Sequence, residues 1–554
     1  MSHRRARARL TAASMVLSIA LMSTAIACAP TTTSTGASGA QPSIGAGQPS
    51  ADEGPPKDGG AIAVGLIAEP ASLLPSMGRF TPPDLMVARA VYDPLVILGD
   101  DGEWRPYLAE SMTPDATAQS WTIKLRPNIT FHNGEKLDAE ALIANFDAFR
   151  ASPITGGAFA VLDSTNKVDD LSVLVHLTTP VRTLPYSLLG QGGFVVAPAQ
   201  LAAKDGQNPI GTGPFVFNSW TKGQVLKVSK NPNYWQKGLP HLDGVSFKFL
   251  TDPQSRANAL TTGEIDLVHD NRPVNVERWA RDNDLPANAK LLLDNGEGDE
   301  LTIILNTQSG IMADESLRRA MALTTDRTEI TNTISDGTYE VADSPYGNSS
   351  KWHSHVDWPT PNVDQAKALV DAWKAAHGGE APVIRLSTPP DTDFGRIAQV
   401  LQASWQAAGF DAKIEQYEQT AFTLNLVVGK FDAAIAPSFH GDDPAAEEPF
   451  ITQRTITLPG FLSINFPRYG STVVDDALKA GRETLDVNTR KAAYARIWND
   501  YATHFPYLFL FHMRWAIAYN GRMHGIGKLV LPDQSPVRPV VWGTTMLSSI
   551  WVDK

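Results

Sequence analysis

A mixed α/β (or α+β) fold of several domains behind an N-terminal leader is what this chain predicts, and three observations carry the prediction. Runs with the period of a strand alternate with runs of helical period from about residue 60 to the end. The 554 residues are 43% hydrophobic, which is ample material for two or three cores. One cysteine, Cys28, stands in the whole chain, so no disulfide framework holds it and the cores must.

The elements follow in order. Arg4, Arg5, Arg7 and Arg9 precede an apolar stretch from Leu10 to Ile26, which closes in the small residues Ala25-Ile26-Ala27 before Cys28. That succession of charge, apolar segment and small-residue cut site reads as a secretory signal peptide over residues 1–27. A cysteine at the first mature position resembles a bacterial lipobox, with Ala25 where leucine is usual. The resemblance implies lipidation of Cys28 and attachment to the membrane only through that lipid. Residues 28–58 are rich in Thr, Ser, Gly, Ala and Pro and read as a disordered tether. Strand patterns then appear at Ala61–Val64, Trp121–Leu125, Leu174–Leu177, Val225–Val228 and Val245–Phe249. Between them, Asp138 is placed to cap a helix with Leu142, Phe146 and Phe149 on one face. Asp314 or Ser316 caps another through Leu317 to Leu323. A third helix follows Asp364, and residues 394–408 form a fourth that stops at Gly409.

Charge narrows the partners. Removing residues 1–27 takes away four arginines and no acid, which moves the formal charge from −12 to −16. So acidic a surface repels phosphate backbones, so no nucleic acid is expected. No run after the leader reaches the roughly 20 apolar residues of a membrane span. Neither a nucleophile elbow, a zinc-protease helix motif nor a phosphate loop is present, so the chain reads as no enzyme, and nothing calls for a cofactor. His353, His355 and Asp357 form the one tight metal-like cluster, but Trp352, Trp358 and Pro359 suit a surface loop and no metal is assigned. Glu447 and Glu448 read as solvated loop charges, and Trp405 as core.

Three stretches are more specific. Asn208-Pro-Ile-Gly-Thr-Gly-Pro-Phe215, followed by Trp220 and Asn231-Pro-Asn-Tyr-Trp235, is turn punctuation around two strands, in which Gly211 and Gly213 permit unusual dihedrals. Tyr92-Asp-Pro-Leu95, Tyr107-Leu-Ala-Glu110 and Phe131-His-Asn-Gly134 form the second, and Ala259–Asp266 with Leu317–Ala322 the third. Together they resemble the extracytoplasmic solute-binding proteins of family 5, the peptide and nickel receptors of ABC importers. The resemblance implies a periplasmic-binding-protein-like two-lobed α/β fold (type II, cluster C) with an extra inserted domain. It implies domain I from residues 59–80, 205–270 and 505–554, an inserted domain II at 81–204 and domain III at 271–504. It also implies a monomeric receptor that closes on a peptide or peptide-like solute and hands it to an ABC permease.

By the same resemblance, Arg79 and Phe80 lie on a loop that touches ligand. Arg79 reads either as the partner of an anionic group or as a solvated surface arginine. Phe159 matches an aromatic on the domain II side, or packs simply. The loop Pro437–Pro444 carries Phe439, His440 and Asp442 where dipeptide receptors place the carboxylate for an α-ammonium; neutral histidine is a weaker acceptor there. Asp443 reads as a brace for the turn. Thr388 occupies the place of an arginine clamp for the ligand carboxylate, and Asn465 is either a ligand contact or a turn stabiliser. With both ends of a dipeptide clamp altered, longer peptides, peptide-like products or another polar solute are expected. The competing expectation is a non-transport scaffold lipoprotein of the cell envelope with the same fold. An open cavity with a trapped ligand favours the receptor, and a sealed or side-chain-filled cleft favours the scaffold.

Overall fold

Among the described residues, strand-forming runs build three large sheets over hydrophobic cores and two further two-stranded pairs. The computed structural model describes residues 53–553 except 282–283, 295–298, 440, 442 and 457–461. In Ala61–Leu66 the alternate residues Ile62, Val64 and Leu66 enter one core, and the strand lies parallel to Gly244–Phe249 with Ala61 opposite Gly244. These are neighbours in a seven-stranded sheet, whose order across is Lys290–Asp294, Trp515–Tyr519, Leu267–Asp270, Ala61–Leu66, Gly244–Phe249, Val225–Lys230 and Phe215–Thr221. A five-stranded sheet runs Asp411–Gln416, Val383–Thr388, Ala433–Phe439, Asp299–Leu305 and Tyr507–His512. The inserted segment folds into a four-stranded sheet, Ala109–Pro114, Ser120–Leu125, Ser172–Leu177 and Leu162–Lys167.

Two connections link the larger sheets. The chain leaves the first at Asp294 and enters the second at Asp299; it leaves the second at His512 and re-enters the first at Trp515. The Trp515 indole donates to Asp299 Oδ2 at 2.5 Å, and Met513 N donates to Asp299 O at 2.8 Å, so the two connections are stitched together. Strands Lys290–Asp294 and Tyr507–His512 therefore fall on the other side of the expected boundaries at 271 and 505. Tyr507–His512 is buried throughout and belongs beside Asp299–Leu305, a pairing partner about 200 residues away that local pattern does not reveal.

Helix starts follow the side-chain caps. Asp138 Oδ1 accepts from Ala141 N at 3.0 Å and opens Ala139–Ala151, which buries Leu142, Phe146 and Phe149. Asp314 caps Glu315–Thr324 through Ser316 N at 2.8 Å. Asn362, two residues before the expected Asp364, caps Val363–Ala376. Helix Thr392–Ala407 ends just before Gly409, whose φ of 97° is left-handed. Trp405 is fully buried in the core of the five-stranded sheet. Among the described residues, no helix is long and apolar enough to cross a membrane.

The motifs that carried the resemblance are structural clamps. Asp93 accepts hydrogen bonds from Thr212 Oγ1 (3.1 Å), Tyr234 OH (3.1 Å) and the Trp235 indole (2.8 Å), joining the signature stretches to the end of helix Pro82–Val91. Gly211 and Gly213 have no left-handed dihedrals, contrary to expectation. They are glycine because of close approach: a Cβ on either would lie 2.1 Å from Val91 O or 2.5 Å from Val91 C. Asp266, ending the third motif, accepts from Ala63 N at 2.9 Å and Asn520 Nδ2 at 2.6 Å, tying three strands. The expected tether also ends early. Glu53 faces Lys528 at 3.1 Å, and Lys57 pairs with Asp553 at 2.6 Å, so the few charges in that segment dock it on the body.

Candidate functional site

The loop Met77–Thr81 is fixed from both ends. Thr81 begins helix Pro82–Val91 with a reciprocal cap, its N–H donating to Asp84 Oδ2 at 2.6 Å. From the inserted domain, Gln191 Oε1 accepts from Phe80 N at 2.7 Å while its amide nitrogen donates to the carbonyls of Pro75 and Gly78. Between these clamps Arg79 reaches across to the lobe of the five-stranded sheet. Its guanidinium carbon lies 4.8 Å from the ring centre of Phe450 and 5.6 Å from that of Phe466. Among the described residues the Arg79 side chain makes no hydrogen bond and no ion pair. Burial lowers its pKa from the ordinary arginine value, and the neighbouring Glu447 carboxylate partly opposes that effect.

The opposite wall is the turn Pro444–Glu447 running into Glu448–Ile451. Asp443 caps it through Ala445 N at 2.9 Å and grips Arg490 by two hydrogen bonds, Nη1 at 2.8 Å and Nη2 shorter still. Asp443 is thus the brace that the sequence suggested. Glu447 is 2% exposed and accepts from Gly441 N at 2.9 Å, and Glu448 pairs with Arg482 at 3.1 Å. Neither is the solvated loop charge expected of an acidic pair. The turn folds back under its own cap, which buries residues that composition alone places in water.

A cavity of about 250 Å³ opens between these walls and runs into the inserted domain. Arg79, Phe80 and Phe159 all line it, so three residues named from the sequence converge there. Phe159 is held by stacking on Phe149, with ring centres 4.6 Å apart and planes 9° from parallel. Two others do not join them. Thr388 is fully buried, and its hydroxyl donates to Pro389 O at 3.1 Å. Asn465 is 1% exposed; its amide donates to Thr452 O (3.1 Å) and Tyr469 O (3.0 Å) and accepts from Tyr469 N (3.2 Å). That amide is saturated within its own loop and stabilises the turn. Cys28, His440, Asp442 and the Phe439 side chain lie outside the described residues; the Phe439 backbone pairs with Asp299 at the end of its strand.

Sequence reasoning missed Gln191, Glu447 and Phe450, each far from Arg79 along the chain. The only local sign was the turn-rich Gly190-Gln-Gly-Gly193, which marks a loop without saying what it touches. His355 sits between Asp343 (2.8 Å) and Asp357 (3.2 Å), whose carboxylates raise its pKa. Among the described residues, no group of three or more His, Cys, Asp or Glu is arranged to hold a metal ion.

Comparison with known proteins bears on the family and the fold. The family model of bacterial extracellular solute-binding proteins, family 5 (middle region), matches residues 103–455. The nickel-binding periplasmic protein of Escherichia coli K12 is 26% identical over 460 residues, covering 77% of this chain and 85% of its own. The oligopeptide-binding protein AppA of Bacillus subtilis 168 is 24% identical over 489 residues, covering 83% and 87%. Among solved structures, AppA of Bacillus subtilis in complex with a nonapeptide superposes with a TM-score of 0.76 at 21% identity, over 90% of this chain and 100% of that one. AgaA from A. tumefacien R10 in complex with agropinic acid gives a TM-score of 0.77 at 22% identity, over 89% and 99%. The α/β two-lobed fold with an inserted domain is common to them. The family model spans well over half of the chain, and the chain belongs to the bacterial extracellular solute-binding proteins of family 5, which are transport binding proteins and not enzymes.

Proposed function

We propose that this protein is a lipid-anchored receptor that captures a peptide or peptide-like acid between its lobes and delivers it to an ABC permease. Cys28 would carry the lipid, and the segment after it would keep the receptor near its permease, raising the local concentration. The observation that supports the ligand class is Arg79. Its guanidinium offers several N–H donors in a fixed fork, held by two aromatic rings in the lining of a cavity with no acceptor bonded among the described residues. A carboxylate is the group such a fork binds best. A fixed cation in the lining disfavours a bare metal ion as cargo, and relatives named for oligopeptides and D,D-dipeptides are in keeping with a peptide-like acid. The cavity spans residues of both lobes, so ligand contacts made only in the closed state would drive closure.

The test is native mass spectrometry of protein purified from its own host, wild type beside Arg79→Met. A co-purifying peptide or peptide-like acid on the wild type, depleted at least tenfold on the variant, is the expected result. A ligand retained equally by both would overturn the placement of the site. No small molecule on either, with a protein partner captured instead, would overturn the receptor reading.

A further inference from the structure

The same cavity reaches far beyond Arg79 into the inserted domain, and there its walls change character. Phe149, Phe159, Val161, Leu177, Leu184 and Leu189 line it, from helix Ala139–Ala151, from the turns after that helix, from strand Ser172–Leu177 and from the segment that follows the strand. Protein interiors are close-packed, with few voids larger than a water molecule. An apolar cavity of roughly 150 Å³ is already large enough to admit a benzene ring. The whole cavity is about 250 Å³, shared between the space beside Arg79 and the apolar end among these side chains.

The cavity therefore offers a cationic fork at Arg79 and an apolar chamber in the inserted domain.

We infer that the ligand is an anionic, peptide-like molecule carrying a bulky apolar substituent, acyl or aromatic. Its carboxylate lies on Arg79, and its apolar group fills the chamber of the inserted domain. This rests on the receptor reading above and narrows it. A short unsubstituted peptide leaves the chamber empty and forgoes the apolar burial that the walls provide.

The experiment is isothermal titration of the full chain with four probes: glycylglycine, N-octanoyl-glycylglycine, N-naphthoyl-glycylglycine and N-octanoyl-glycylglycinamide. At least one acylated acid is expected to bind ten times or more tightly than glycylglycine, and the octanoyl amide at least tenfold more weakly than the octanoyl acid. Ala158→Phe and Val161→Phe each add a ring to the lining of the chamber. In either one that folds, the ratio of acylated to plain affinity should collapse below threefold. A ratio near one in the wild type, or one that survives both fillings, overturns the chamber while leaving a peptide receptor in place. Binding of none of the probes overturns the receptor reading as well.

Discussion

Arg490 and Arg79 are both guanidiniums laid against aromatic rings, and they sit on opposite sides of the same turn. Arg490 lies 4.5 Å from the ring centre of Trp352 and holds Asp443 in a two-pronged ion pair whose members are each 2% exposed. Arg79 lies on Phe450 and Phe466, rings carried by the lobe that Arg490 stabilises, and has no bonded carboxylate among the described residues. A buried cation with its fork filled is committed to the fold. One whose charge is supported only by ring faces and by a neighbouring carboxylate keeps its donors for something else. The two arginines show how the same side chain divides between structure and recognition, and the division lies in the partner.

The largest effect should come from emptying the filled fork. Asp443→Leu strands Arg490 in a site without water, and breaking a buried pair from one side costs roughly 3–5 kcal/mol. It also removes the cap of the turn that presents Phe450. Urea unfolding should register the loss, and Asp443→Leu with Arg490→Met should recover most of it, because the double variant buries no uncompensated charge. A single variant costing less than about 1 kcal/mol would mean that Arg490 is not held by its carboxylate, and the contrast with Arg79 would fail.

Much of this was legible in the chain itself, and the limits have physical reasons. Caps such as Asp138 and Asp314 act over three residues or fewer, so local pattern finds them. Arg79, Phe80 and Phe159 could be named because each follows a loop whose family resemblance is positional. Gln191 and Glu447 could not. Gln191 acts across 111 residues of sequence on Phe80, and Glu447 is indistinguishable from a solvated acid until the turn buries it. Asn465 left two readings open for a subtler reason. An asparagine between strand and turn has the same letter whether its amide faces a ligand or saturates its own loop, and only the partners Thr452 and Tyr469 decide. The boundaries at 271 and 505 missed because a strand's sheet depends on a partner far away in sequence.

A further contrast sharpens the rule from the acid side. Asp443 has a cation, whereas Asp93, fully buried, has only the neutral donors Thr212, Tyr234 and Trp235. Burial pushes Asp93 up to about 6, those three bonds offsetting part of the rise. The unfolded carboxyl titrates near 3.9, so between about pH 4 and 6 the folded state binds more protons than the unfolded. The stabilising contribution is therefore fully present below about pH 4 and is lost as pH rises through 6. Asp93→Asn removes this dependence. The stability of wild type minus that of the variant should fall by up to about 3 kcal/mol from pH 4 to pH 7, an upper bound set by two pKa units. A difference that rises with pH would show that a cation holds Asp93 after all.

The smallest effect belongs to Arg79 itself, and its smallness is the point. Burial lowers its pKa from the ordinary value, which marks a charge the fold accommodates at some cost. Replacing it by methionine keeps an apolar stem against Phe450 and Phe466 and removes that cost, while no hydrogen bond among the described residues is lost. Stability in urea should therefore change by less than about 1 kcal/mol, in either direction, even as affinity for an anionic ligand collapses. A loss of about 3 kcal/mol or more, of the kind expected at Asp443, would make Arg79 another structural arginine and move the search for the ligand's anchor elsewhere in the cavity.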